Sequence, residues 1–208
     1  MATGQQDDAA ARGAADSAHG PDARRPALER FSPATQAWFA GAFHAPTAAQ
    51  TGTWDAVADG HHALVVAPTG SGKTLAAFLW ALDGLLDPTG PEPEPPARCR
   101  VVYVSPLKAL AADVERNLRS PLAGVRQSAA RRGEAIREVR VGTRTGDTPA
   151  SERRAFATTP PDILITTPES LFLILTSGAR EGLRGVTTVI LDEIHAVAGT
   201  KRGAHLAV

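Results

Sequence analysis

The chain has 208 residues, enough for one sizeable core but not for two full α/β domains. Its 22 basic and 22 acidic residues cancel, so bulk charge alone would not hold a polyanion. Any nucleic-acid partner must be held by a few placed groups. No apolar run approaches the ~18–20 residues that span a bilayer, and the N-terminus lacks the basic and apolar regions of a signal peptide. The single cysteine, Cys99, excludes an internal disulfide and fits a reducing compartment. A cytoplasmic protein without a membrane partner is therefore expected.

Residues 1–27 are rich in Ala, Asp, Gly and Arg without apolar periodicity, the composition of a disordered tail. Residues 28–62 read as a helical segment. One short helix is expected from Pro33 to Phe43, and a second, with Thr47 as its N-cap, to about Ala58. The run from His62 to Ala67 is short and continuously apolar, which predicts a strand buried on both faces. A glycine-rich turn and an apolar helix from Lys73 to Leu86 follow, then a Pro- and acid-rich loop from Asp87 to Pro96.

Further strands are expected at Val101–Ser105, Glu138–Thr143, Asp162–Thr166 and Thr187–Asp192. A helix is expected from Leu107, with a break and restart at Pro121, and another from Pro168 to Leu175. Strands alternating with helices imply crossover connections, hence an α/β fold on a mostly parallel sheet.

Ala67-Pro-Thr-Gly-Ser-Gly-Lys-Thr74 lies between an expected strand and a helix, the place of a phosphate-binding loop. Gly70 and Gly72 let the backbone around Thr69 and Ser71 curl, so that N–H groups face an anion at the helix N-terminus. Lys73 can reach the β- and γ-phosphates of a nucleoside triphosphate, and the Thr74 hydroxyl can ligate Mg²⁺. Ala67 stands where the strict motif has glycine, but the residues that touch phosphate are the later ones. At the end of the last strand Asp192 can hold Mg²⁺, and Glu193 can orient and deprotonate the attacking water. Both acids fall at the C-terminal edge of a parallel sheet, where ligands bind. Together the two motifs give an NTP hydrolase without saying what the hydrolysis drives.

The phosphate loop and Asp192-Glu-Ile-His195 resemble superfamily 2 helicases of the Asp-Glu-x-His type. Ser105-Pro-Leu-Lys-Ala-Leu110, Arg144-Thr-Gly-Asp-Thr-Pro149, Thr166-Thr-Pro-Glu-Ser-Leu171 and Gly199-Thr-Lys-Arg-Gly-Ala-His205 look most like the large helicase-related family, known as Lhr. The resemblance covers about residues 30–208. It implies a RecA-like P-loop domain and ATP-dependent 3′-to-5′ translocation on, and unwinding of, DNA and/or RNA, with links to DNA repair.

The same resemblance implies strand contacts by Ser105, Pro106, Leu107 and Lys108, by Thr145, Gly146 and Asp147, and by Thr167, Pro168 and Glu169. It gives His195 a role in coupling ATP to nucleic acid. Phe43, Pro46, Thr47 and Gln50 look like an aromatic-plus-glutamine adenine-recognition motif. The basic runs Arg131-Arg132, Arg153-Arg154 and Lys201-Arg202 read as solvated faces.

A motor of this family needs a second RecA-like domain, which is absent here; residues 63–208 then read as part of the first. In that arrangement a strand with a Ser-Ala-Thr motif lies between the phosphate-loop strand and the Asp-Glu strand, so Ala63–Ala67 and Val189–Asp192 are expected to flank a gap. The chain alone is expected to fold weakly and to lack helicase activity. A P-loop phosphotransferase and an inert piece remain the alternatives to a nucleic-acid motor.

Overall fold

The computed structural model describes residues 26–207, so most of the expected N-terminal tail lies outside the described residues. A 3-10 turn, Ala27–Arg30, leads into helices α1 (Pro33–Ala42), α2 (Ala48–Ala58) and α3 (Lys73–Leu86). Then follow β1 (Val101–Val104), α4 (Lys108–Arg132), β2 (Val141–Arg144), α5 (Ala150–Thr158), β3 (Ile163–Thr166), α6 (Pro168–Leu175), β4 (Thr188–Leu191) and α7 (Lys201–Leu206). No described helix is long and apolar enough to cross a membrane.

The sheet is parallel throughout, in the order β2-β3-β1-β4. β1 and β3 are buried at every position, as their continuous apolar runs require. Two apolar layers cover the faces. One joins Phe78 and Leu82 of α3 with Leu118 and Val125 of α4, against Tyr103 and Ile165. The other gathers Cys99, Phe156 and Ile174 around Val102 and Leu164. Burial pushes the Cys99 thiol up to about 12, so it stays protonated and inert. A third cluster packs Phe31, Phe39 and Trp54 on Leu79, which fixes α1 and α2 against α3.

Two expectations are corrected. The first concerns Pro121, where α4 runs unbroken. Its buried residues Ala111, Val114, Leu118, Pro121, Val125 and Ala129 keep one helical stripe in phase across the proline. A proline inside a helix costs about 3 kcal/mol, less than burial of several such side chains contributes.

The second correction concerns residues 62–67, which form no strand. Leu64 and Val66 are 83% and 88% exposed. An apolar run becomes a buried strand only with partners to accept its N–H and C=O groups, and none of the described residues pairs with this one. β4 in turn is a sheet edge, half-buried on one face and open on the other, with Val189 58% and Leu191 44% exposed.

An exposed apolar edge strand templates pairing with other chains. Val189→Lys is therefore expected to reduce self-association of the 1–208 polypeptide in light scattering. Unchanged aggregation would show that this edge is not the sticky surface.

Candidate nucleotide and nucleic-acid site

α2 holds the phosphate loop from outside. Thr47 and Gln50 form a capping box, in which the Gln50 Oε1 accepts the Thr47 N–H at 2.9 Å and the Thr47 hydroxyl accepts the Gln50 N–H at 3.3 Å. The same two side chains reach the loop: Thr47 Oγ1 donates to the Ser71 carbonyl at 3.0 Å and Gln50 Nε2 to that of Gly72 at 3.5 Å. Gln50 is thereby buried against the loop. Gly70 and Gly72 are left-handed, with φ of 81° and 80°. At Gly72 the approach is so close that a Cβ would lie 2.5 Å from Gln50 Nε2. The Lys73 ammonium folds back onto the Ala67 and Pro68 carbonyls, at 2.6 and 2.9 Å, which keeps one cation over the loop.

Across from the loop, the Asp192 N–H donates to the Val104 carbonyl at 3.0 Å, continuing the β1–β4 pairing one residue past the strand. Tyr103 donates its phenol proton to the Asp192 carboxylate. Burial first, and this acceptor second, hold the phenol well above its ordinary range. The tyrosine ring stacks on Phe78 of α3 at 5.1 Å. The next residue, Glu193, is a non-glycine in the left-handed region (φ 47°, ψ 42°), and its N–H donates back to Asp192 Oδ1 at 2.9 Å. Such a conformation costs of order 1–3 kcal/mol and turns the carboxylate away from the strand direction. His195 Nε2 lies 3.3 Å from Glu193 Oε2.

Thr69, Gly70, Gly72, Lys73, Thr74, Asp192 and Glu193 all line one cleft of about 590 Å³, with Trp38 and Phe43 on its wall. Its size and its mix of apolar and polar groups suit a nucleotide. Thr74 and Asp192 supply one hydroxyl and one carboxylate, which fits Mg²⁺, an ion that takes its remaining oxygens from phosphate and water. Gln50 and Ser71 do not line the cleft.

The other expected residues sit at the ends of the next three strands. Ser105 is buried and donates to the Leu107 carbonyl at 3.2 Å, which folds the loop after β1 and leaves Leu107 and Lys108 outside. Lys108 Nζ meets Asp147 Oδ1 at 2.7 Å, joining this loop to the one after β2, where Thr148 Oγ1 accepts the Thr145 N–H at 2.8 Å. Thr167 caps α6 by accepting the Ser170 N–H at 3.4 Å, and Pro168 opens that helix. Gly146 lies where an added Cβ would meet Lys108 Nζ at 3.5 Å.

Arg202 departs from the expected solvated face. Its guanidinium binds both Glu169 oxygens and the Pro106 carbonyl, and the Glu169 carboxyl is held below its ordinary range by that contact. Sequence reasoning missed Tyr103 and Arg202. The one signal for Tyr103 was a polar-tipped residue, the chain's single tyrosine, inside an aliphatic strand. Arg202 carried no signal beyond its charge.

Residues 47–208 match the DEAD/DEAH box helicase family. The chain belongs to that family. It is 61% identical over 181 residues to the Lhr helicase/probable uracil glycosylase of Mycolicibacterium smegmatis, covering 87% of this chain and 12% of the relative. It is 58% identical over 194 residues to the Lhr helicase/uracil glycosylase of Escherichia coli, covering 92% and 13%. The chain thus spans about an eighth of the length of these relatives.

The solved structure of the Mycobacterium smegmatis helicase Lhr bound to ssDNA and AMP-PNP superposes with a TM-score of 0.81 at 60% identity, over 88% of this chain and 23% of that one. The resemblance to the large helicase-related family is borne out. A DEAD-box helicase, Mss116 bound to ssRNA, at 19% identity, 85% and 34% coverage and a TM-score of 0.66, shares the fold.

The left-handed backbone disfavours a side chain at Gly72, and a Cβ there would push the Gln50 amide off the loop. Gly72→Ala is expected to cost about 1–3 kcal/mol, read as a lower Tm of the intact protein. A Tm equal to the parent's would contradict this close approach.

Proposed function

We propose that this chain is the ATP-binding portion of an ATP-dependent nucleic-acid helicase or translocase. The observation that carries the reading is geometric: the phosphate loop and Asp192-Glu193 face each other across one cleft, and the strand-contact candidates lie on the same edge of the same sheet. The relative solved with ssDNA and AMP-PNP supports both ligand classes. Translocation in the 3′-to-5′ sense, action on DNA and/or RNA, and a second RecA-like domain as partner follow from the family resemblance.

In this reading Lys73 leaves the carbonyls of Ala67 and Pro68 for the triphosphate, and the loop N–H groups around Gly70 and Gly72 bind its oxygens. When bound, Mg²⁺ supplies charge neutralisation on the phosphates, held by Thr74 and Asp192. Glu193 aligns the attacking water and takes its proton. Phe43, 43% exposed at the cleft, offers its ring to the base. Gln50 lies outside the cleft with both ends of its amide engaged, so it shapes the loop through the Gly72 carbonyl. His195 is exposed beside Glu193, and in this reading it couples the partner domain to hydrolysis.

On the strand side, the loops after β1, β2 and β3 offer N–H and hydroxyl groups. These suit sequence-independent phosphate contacts. The N-terminus of α4 carries no side-chain cap, so its first-turn donors are open to such a ligand.

Lys73→Ala in the intact protein is expected to lower ATP turnover by ~10²-fold or more, since the developing phosphate charge loses its cation. Turnover within about threefold of the parent would remove this loop from the ATP site. Glu193→Gln should keep Mg²⁺-ATP binding, measured by calorimetry, while hydrolysis stalls. Joint loss of affinity and turnover would make Glu193 a structural or metal-holding residue instead.

A further inference from the structure

Resting on the nucleic-acid reading above, we propose that Arg202 is a positioning residue of the strand track. Its guanidinium sets the loop after β1 and cancels the charge of Glu169, so that backbone donors at 107–109 are presented to phosphates.

The geometry begins at the ATP-site end. After Glu193 the chain makes a 3-10 turn, Ile194–Ala196, and enters α7 at Thr200. The Thr200 hydroxyl donates to the Val197 carbonyl at 2.7 Å and accepts the Gly203 N–H at 3.3 Å, so the turn and the helix move as one piece. Gly203 permits this seating: a Cβ there would collide with the Val197 carbonyl. Leu206 packs on the apolar layer of Val104, Leu164 and Ile174, which fixes the far end of the helix. Arg202 therefore leaves a short, doubly anchored helix in a defined direction.

Its fork then joins two other strand ends. Nε and Nη2 take the two oxygens of Glu169 in the first turn of α6, the Nη2–Oε2 bond at 3.3 Å, and Nη2 also donates to the carbonyl of buried Pro106. A trans peptide points its N–H opposite to its C=O. With the Pro106 carbonyl drawn inward to Arg202, the Leu107 N–H points away from Arg202, beside the uncapped first turn of α4. Ser105, which donates to the Leu107 carbonyl, fixes the next peptide in the same sense.

The second consequence is electrostatic. Glu169 is a carboxylate among groups expected to meet phosphates, and alone it would repel them. A bidentate guanidinium neutralises it without being used up on a phosphate itself. Lysine, a point charge, cannot span both carboxylate oxygens and the carbonyl.

The test uses the intact protein with fluorescein-labelled oligothymidylate and oligouridylate, read by anisotropy over a salt series and by strand-stimulated ATPase. Arg202→Ala is expected to weaken strand binding about tenfold, the size of one lost charge-assisted hydrogen-bond set. The strand concentration for half-maximal ATPase rises equally, and the rate at saturating strand is retained. In the charge-neutral pair Arg202→Ala/Glu169→Gln the slope of log affinity on log salt stays at the parent's value, because Arg202 does not itself neutralise a phosphate; a direct contact would remove about one unit of slope.

Arg202→Lys should show a smaller loss in the same sense, and adding Glu169→Gln to Arg202→Ala should recover part of the loss. Should Arg202→Ala fail to fold, Arg202→Lys decides alone. Parent-like binding by Arg202→Ala and Arg202→Lys, or a slope reduced by a unit in the charge-neutral pair, would overturn the assignment. A parent whose ATPase does not respond to either strand would instead fail the helicase reading.

Discussion

The candidate functional groups at the carboxyl edge of the sheet depend on the parallel register of β1 between β3 and β4. Val104 lies level with Thr166 on one side and Leu191 on the other, and Thr166 lies level with Arg144. Because neighbouring strands are only about 4.8 Å apart, the residues leaving these ends share one narrow ledge. Asp192, Ser105, Thr167 and Thr145 are the first residues on that ledge. A parallel sheet forces all of its loops at this edge to leave in the same direction, and so collects the Asp192 carboxylate and the three loops proposed to meet nucleic acid.

Long-range polar contacts then turn the ledge into a connected device. Tyr103 reaches from β1 to the carboxylate of Asp192 while its ring stacks on Phe78, in the helix that starts at the phosphate loop. Lys108 joins the loops after β1 and β2, and Arg202 joins the loop after β1 to α6. On the other side of the cleft, the capping box of α2 serves both as a helix start and as a clamp on Ser71 and Gly72. Each of these contacts ties a loop at the sheet edge or beside the cleft to a neighbouring element. The left-handed backbone at Glu193 follows directly on Asp192, which Tyr103 holds.

The extended segment before the phosphate loop contrasts with the ordered parts around it. Its side chains at Leu64 and Val66 face solvent, yet Lys73 and α2 still shape the loop that follows. Loop geometry here is therefore set by local capping and glycine conformations more than by strand pairing. The same contrast separates β1 and β3, buried on both faces, from β4, whose outer face is open.

The sequence by itself determined what depends on neighbours along the chain. Thr47 as N-cap, the helices at Lys73–Leu86 and Pro168–Leu175, and the cores of all four strands followed from capping chemistry and apolar periodicity. The phosphate loop and the Asp192-Glu193 pair were legible because their chemistry needs fixed residue types at fixed spacing. Only the tertiary structure decided what depends on partners distant in sequence. It kept α4 continuous through Pro121, by burying one stripe on both sides of the proline. It left the apolar run at 62–67 unpaired, because hydropathy reports a preference for burial and not the presence of a hydrogen-bonding partner. It brought Arg202 onto Glu169 and Pro106, contacts 33 and 96 residues apart, which no local pattern encodes. A charge in a sequence has no direction until the fold supplies its counter-charge.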